Sequence, residues 1–343
     1  MPDSNDRILP HATPVPTTMA RATVTAMTRD RRAGICPGYW RDARTSGSAG
    51  RRARLVTVNS RKPDRIVISG AGGMVGRTLA AAARRRGREV LALTSADWDI
   101  TDPVAAERFI EPGDVVINCA AYTQVDAAEQ EPERAHAVNA VGPEHVAHAC
   151  ARAGADLIHI STDYVFSGGQ HHPYEIDDET GPLSVYGRTK LAGELLVLAA
   201  MPDAHIVRTA WIYEGADGKD FAAVMRRLAA GDGEVEVVAD QVGSPTYVGD
   251  LVEALLQLAD DGSIREPVLH AANEGAASRF EQAQAVFEAV GADPQRVRPV
   301  GTDRHPRPAP RPAYSALSAR RSTEAGLKPL RPWREALAAA LAQ

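Results

Sequence analysis

Tyr186 and Lys190 stand four residues apart in Tyr186-Gly187-Arg188-Thr189-Lys190. On a helix, positions i and i+4 share a face, so a phenol and an ammonium would be neighbours. A nearby cation favours phenolate and brings a tyrosine pKa down from about 10 towards working pH, which suits a proton donor. Ser161-Thr162-Asp163 follows an apolar run. Parallel-sheet enzymes place their chemistry at such carboxyl ends of strands. A third motif, Gly70-Ala71-Gly72-Gly73-Met74-Val75-Gly76, lies between another apolar run and a helical pattern. Glycines there permit a tight turn and a close pyrophosphate approach, and the helix N-terminus offers N–H groups to phosphates. The spacing is G-x-x-G-x-x-G rather than the usual G-x-G-x-x-G. The expected ligand is a dinucleotide, held by Gly70, Gly73, Met74, Val75 and Gly76.

The end of the second strand discriminates between nicotinamide cofactors. An acid there holds the ribose 2′-hydroxyl and repels a 2′-phosphate. Leu93-Thr94-Ser95 carries no acid, and Arg77, directly after the glycine loop, could face a 2′-phosphate. The expectation is NADPH, with NADH the alternative. Asp99 and Ile100 are candidate adenine contacts.

The elements that must position these groups alternate. Strand-like runs are read at 65–68, 89–93, 114–119, 157–160 and 205–209. Helical patterns are read at 77–86 (closed by Gly87), 133–140, 143–153 and 184–200 (stopped by Pro202). Near-continuous apolar strands separated by helices mean a parallel sheet covered on both faces. The expected fold class is α/β: a Rossmann-like doubly wound parallel sheet with a smaller C-terminal α/β substrate domain. The expected division gives 64–206 with 229–272 to the NADP-binding domain, and 207–228 with 273–343 to the substrate domain. Residues 299–312 hold five prolines and read as an extended loop.

Charge and composition narrow the partners. Residues 1–63 hold 12 Lys+Arg against 4 Asp+Glu, while residues 64–343 hold 27 against 40. A domain that acidic is a poor candidate for wrapping nucleic acid, so small molecules are the expected partners. The first 63 residues, rich in Thr, Arg, Pro and Ser, read as a disordered tail or an upstream start. No run of about 18 apolar residues suggests a membrane span. Cys36, Cys119 and Cys150 are too scattered for a disulfide framework and read as apolar filler in a reducing, cytoplasmic compartment. His145 and His148 lack a matching acid or cysteine cluster, and His171-His172 falls in a loop, so no metal site is expected there.

Together the three motifs resemble the short-chain dehydrogenase/reductase superfamily in its extended form, over about residues 64–343. Further stretches resemble the dTDP-4-dehydrorhamnose reductase family, in family order. They are Asn118-Cys119-Ala120-Ala121-Tyr122-Thr123-Gln124-Val125-Asp126, Ser161-Thr162-Asp163-Tyr164-Val165-Phe166, Arg208-Thr209-Ala210-Trp211-Ile212-Tyr213 and Asp240-Gln241-Val242-Gly243-Ser244-Pro245-Thr246. The resemblance implies reduction of the C4 keto group of dTDP-4-dehydro-β-L-rhamnose. It implies that Thr162 hydrogen-bonds the C4 oxygen, that Tyr186 donates the proton, and that Lys190 binds the nicotinamide ribose and tunes Tyr186. Ala120, Ala121 and Tyr122 fall at cofactor positions. Thr123, Val125, Asp126 and Trp211 fall at substrate positions. Some members bind Mg²⁺ at a dimer interface through a glutamate two residues past the last loop glycine. Thr78 stands there, so Mg²⁺ is doubtful and the expected state is a monomer or weak homodimer. A 4,6-dehydratase carries Thr-Asp-Glu at the strand end, but Tyr164 follows Asp163 here. Two rivals remain: a reductase of a sister dTDP-4-keto-6-deoxysugar, and a non-catalytic NADP-binding subunit.

Overall fold

A computed structural model describes residues 65–215 and 218–342. The expected tail at 1–63 and Cys36 lie outside the described residues. The first half runs β1 (Ile66–Ser69), α1 (Met74–Arg85), β2 (Val90–Leu93), β3 (Val115–Asn118), α2 (Val125–Ala128) and α3 (Pro132–His136). A π turn, Ala137–Val141, leads into α4 (Gly142–Ala153), followed by β4 (Asp156–Thr162), α5 (Val185–Ala200) and β5 (His205–Thr209). Then come β6 (Ile212–Tyr213), α6 (Phe221–Ala229), β7 (Val235–Val238), β8 (Val242–Gly243), β9 (Thr246–Tyr247), α7 (Val248–Asp260) and β10 (Val268–His270). The rest is β11 (Asn273–Glu274), β12 (Ala277–Ser278), α8 (Arg279–Ala289), β13 (Val297–Val300), α9 (Arg320–Glu324), β14 (Leu330–Pro332) and α10 (Trp333–Leu341).

The central sheet is parallel, in the order β10-β5-β4-β3-β1-β2. Its strands are apolar throughout because both faces are covered. Ile66, Ile68, Val115 and Ile117 join a core with α1 and α7, whereas Val67, Val116, Leu157 and Ile206 join one with α4 and α5. Gly87 closes α1 at φ +71°, a conformation that costs glycine nothing. The two helices expected at 133–140 and 143–153 form one helical path through the π turn, so Gly142-Pro143 does not break it.

The smaller half is built from strand pairs: β6 with β9, β7 with β13, β8 with β12 and β11 with β14. Two expectations differ here. Residues 235–238, grouped by sequence with the nucleotide-binding half, pair in parallel with 297–300 of the other half. Pro299 therefore lies in a strand rather than in an extended loop. A two-stranded ribbon has a free edge on each strand, which tolerates a residue without an N–H.

Candidate active site

The strand order reverses between β1 and β3, and the loops leaving these strands meet there. Gly70 takes φ +67°, and a Cβ on it would stand 2.6 Å from the Ala120 nitrogen. A Cβ on Gly76 would stand 2.5 Å from the Gly70 carbonyl oxygen. Both positions therefore require glycine. α1 begins after Gly73 without a side-chain cap, which leaves its first N–H groups open. Around this turn lies a cavity of about 710 Å³. It is lined by Gly70, Gly73, Met74, Val75, Gly76, Asp99, Ile100, Ala120, Ala121 and Thr123. Trp98 also lines it, with a buried indole N–H that has no partner. A glycine cradle, an open helix N-terminus and an unpaired donor fit a dinucleotide.

Several expected cofactor residues have other engagements. The Asp99 carboxylate accepts from Thr101 N and Oγ1, which lowers its pKa. Tyr122 does not line the cavity. Asn139 clasps its backbone N–H and carbonyl, and its ring lies 5.5 Å from the Arg134 guanidinium. Arg77 is ion-paired with Glu214. The tip of β2 is not free of acid in space. Asp97 folds back, and its carboxylate accepts from Thr94 N and Oγ1. An acid three residues beyond a strand end returns through the turn, which strand-end reading alone misses. Thr78 donates to the Met74 carbonyl within α1.

The reacting groups meet at the ends of β4 and α5. Ser184 caps α5 by accepting from Gly187 N at 3.1 Å. Gly187 lies against the Tyr164 carbonyl, where a Cβ would clash, so the first turn of α5 is pressed onto the turn after Thr162. This packing brings Tyr186 to Thr162. Burial pushes the Tyr186 phenol above its ordinary value, further than its hydrogen bond with Thr162 draws it down. Asp163 and Tyr164 push it up as well. Lys190 is buried, donates to the Ile160 carbonyl at 2.7 Å, and lies 3.3 Å from His159 Nε2. Burial pushes its pKa down to about 8, against the pull of Glu194 and Cys119 towards the charged form. The expected lowering of Tyr186 by Lys190 is thus not the arrangement found. Desolvation governs both groups, raising the acid and lowering the base.

Sequence reasoning missed most of the surrounding shell. Asp163 is 2% exposed, and burial pushes its carboxyl up to about 6. It accepts from Thr162 Oγ1 at 3.0 Å and from Ser315 Oγ at 2.6 Å. Tyr164 meets the Tyr186 ring edge-on, with centroids 5.7 Å apart. Trp211, expected at a substrate position, alone among the described non-glycine residues has positive φ, at 47°. The Arg279 guanidinium lies 3.5 Å from its ring centroid, and burial pushes Arg279 down to about 10. An aromatic in so rarely adopted a conformation marks a held position. Tyr213, by contrast, is core, 1% exposed. Thr123 is exposed at the cavity, and Val125 opens α2. Asp126 is committed: it accepts from Arg311 (Nη2–Oδ2 2.9 Å) and from Ala309 N, so it holds the proline-rich segment rather than standing free. A buried acid next to the Thr162 hydroxyl leaves no periodic trace, and neither do arginines more than a hundred residues away.

Comparison with known proteins agrees with this geometry. The model of the RmlD substrate binding domain family matches residues 64–343. A dTDP-4-dehydrorhamnose reductase of Mycolicibacterium smegmatis is 67% identical over 310 residues, covering 90% of this chain and 93% of that one. One of Mycobacterium tuberculosis is 66% identical over 285 residues, covering 82% and 93%. A dTDP-4-dehydrorhamnose reductase from Bacillus anthracis, solved in complex with NADP, is 36% identical with a TM-score of 0.75, covering 80% of this chain and 97% of that chain. On the family match and these identities, over a fold whose glycine cradle and Thr–Tyr–Lys cluster lie at the carboxyl ends of the interior strands β1 and β4, the chain belongs to the RmlD substrate binding domain family.

Proposed function

We propose that this chain reduces the C4 keto group of dTDP-4-dehydro-β-L-rhamnose with NADPH, giving dTDP-β-L-rhamnose. The carrying observation is the convergence of Thr162 and Tyr186 at the carboxyl end of β4, in the same parallel sheet whose β1–α1 turn lines the glycine-rich cavity. Gly70, Gly73 and Gly76 with the first turn of α1 would hold the pyrophosphate, Ala120 and Ala121 the middle of the cofactor, and Asp99, Ile100 and Trp98 its adenine end. When bound, the nicotinamide supplies the hydride.

The chain's own residues do the rest. As negative charge grows on the sugar C4 oxygen, Thr162 and Tyr186 donate to it from fixed positions. A single donor to a developing oxyanion is worth about 2.7–4 kcal/mol in a serine protease. Thr162 has a single hydroxyl proton, so it must release Asp163 to reach the substrate. Tyr186 then gives up its proton to form the alcohol. Trp211, backed by Arg279, forms a flat wall for the sugar or base. Arg77 is the candidate partner for a 2′-phosphate, once it leaves Glu214.

The test is cofactor oxidation by the purified chain with dTDP-4-dehydro-β-L-rhamnose, with NADPH and NADH in parallel and the product identified by NMR. Formation of dTDP-β-L-rhamnose, lost in Tyr186→Phe while NADPH still binds, is the expected result. An inert wild-type protein that binds NADPH would overturn the reading in favour of a sister sugar or a non-catalytic role.

A further inference from the structure

A buried polar chain runs through the sheet behind the site and ends on Lys190. Ser69 Oγ donates to Asn118 Oδ1 at 2.6 Å, and Ala120 N donates to the same oxygen at 3.1 Å. A backbone N–H can only donate, so the orientation of the Asn118 amide is forced. Its Nδ2 therefore faces His159 Nδ1, at 3.0 Å. Nδ2 also can only donate, so His159 Nδ1 must be bare and accepting. The imidazolium is excluded, because it would set N–H against N–H. Burial and the neighbouring Lys190 also hold His159 well below its ordinary pKa. A neutral imidazole has one ring proton, and here it must lie on Nε2. That nitrogen is 3.3 Å from Lys190 Nζ. An ammonium would meet it donor to donor. A free amine accepts from Nε2–H through its lone pair and still donates to the Ile160 carbonyl.

We propose that His159 is a positioning residue that destabilises the Lys190 ammonium relative to the amine, through a ring tautomer locked by Asn118. Other groups face the lysine. From its own helix comes Glu194, whose carboxylate is held by Arg208 of β5 and by Ser161. From the end of β3 comes Cys119, whose thiol burial pushes up to about 12. Glu194 favours the ammonium, while burial opposes it; the His159 ring N–H facing Nζ opposes it as well. The outcome is a lysine that gains and loses its proton near working pH.

What that lysine does rests on the proposed reduction. Tyr186 gives its proton to the sugar alkoxide. The resulting phenolate takes a proton from the Lys190 ammonium one helical turn away. The amine left behind is the form His159 accommodates, and solvent returns the proton.

The first experiment reads the tautomer in the full-length protein carrying isotope-labelled histidine, by long-range proton–nitrogen NMR. The His159 resonances are identified by their loss in His159→Gln. We expect Nε2 protonated and Nδ1 bare throughout, from about pH 6 to about pH 9. A proton on Nδ1, or an imidazolium, overturns the proposal. The second uses Asn118→Asp, which keeps acceptors for Ser69 and Ala120 but turns the histidine round, leaving a bare Nε2 for the ammonium. The Lys190 titration, followed through its side-chain carbon signal, should rise by one pH unit or more, a tenfold change in the amine–ammonium ratio. The matching limb of single-turnover reduction should move with it. A reversed tautomer with an unmoved lysine overturns the proposal. If the wild-type protein fails to reduce the sugar, the proposed function falls, while the tautomer and lysine titration still decide this inference.

Discussion

Replacing Asp163 by asparagine should stabilise this protein at neutral pH, although it removes a group inside the active site. Asp163 is buried, and its folded pKa is pushed from the ordinary 3.8 up to about 6. The folded state therefore binds the proton more tightly than the unfolded chain does. Between those two values stability falls as pH rises, because ionisation is easier once the chain unfolds. Each pH unit of separation is worth about 1.4 kcal/mol, so above pH 6 the ionised carboxylate costs about 3 kcal/mol relative to its neutral form. Asparagine has the same shape and no charge. Its oxygen can accept from one hydroxyl and its amide can donate to the other, Thr162 or Ser315. Urea unfolding of both proteins from acid to neutral pH gives the difference curve. It should be flat below about pH 4, open between about 4 and 6, and reach about 3 kcal/mol in favour of the variant. A variant that is less stable at neutral pH, with no change in the difference across that window, would refute the reasoning. It would mean that the hydrogen bonds from Ser315 and Thr162 outweigh burial.

The remaining predictions concern the cradle, the core and the cofactor. Gly76→Ala puts a methyl 2.5 Å from the Gly70 carbonyl. It should cost about 1–3 kcal/mol of stability and weaken NADPH binding at least about tenfold, read by fluorescence titration. Glu194→Gln removes one partner of a buried ion pair (Arg208 Nη2–Glu194 Oε2 2.7 Å) and should cost about 3–5 kcal/mol in urea unfolding. Arg77 is engaged by Glu214. Glu214→Gln should therefore tighten NADPH up to about fivefold, the worth of an exposed pair, and leave NADH unchanged in parallel titrations. Equal tightening of both cofactors would detach Arg77 from the 2′-phosphate.

The sheet and its glycine turn were legible because doubly covered parallel strands read as unbroken apolar runs. β5 was placed correctly to the residue, and the helix read at 184–200 is α5 (Val185–Ala200) with Ser184 as its N-cap. The ribbons of the smaller half were not legible. Pairs such as β6–β9 are two residues long, too short to carry a period, so the grouping of 229–272 with the nucleotide-binding half has no view of the pairing of 235–238 with 297–300. In the site, Thr162, Tyr186 and Lys190 could be found because a strand end and a helical spacing display them. Asp163 could be seen but not interpreted. Its partner Ser315 is 152 positions away, and burial, which sets its charge, is a property of the closed structure. The same blindness reversed the reading of Tyr186. Spacing puts a cation beside the phenol, but only packing shows that desolvation prevails.

The bond from Ser315 to Asp163 and the ion pair from Arg311 to Asp126 also fix an order of assembly. A chain growing on the ribosome emits β1 to β5, and with them the glycine turn, Thr162, Tyr186 and Lys190, before either partner exists. At about 5–20 residues per second, the roughly one hundred residues from β5 to Ser315 take about 5–20 s. For about the first sixty of those residues the nascent sheet also lacks its edge strand β10. Asp163 then lacks its Ser315 partner, and Asp126 has no proline-rich segment to hold. A truncated product ending before Arg311 would carry every residue of the Thr–Tyr–Lys cluster without the segment that shapes it.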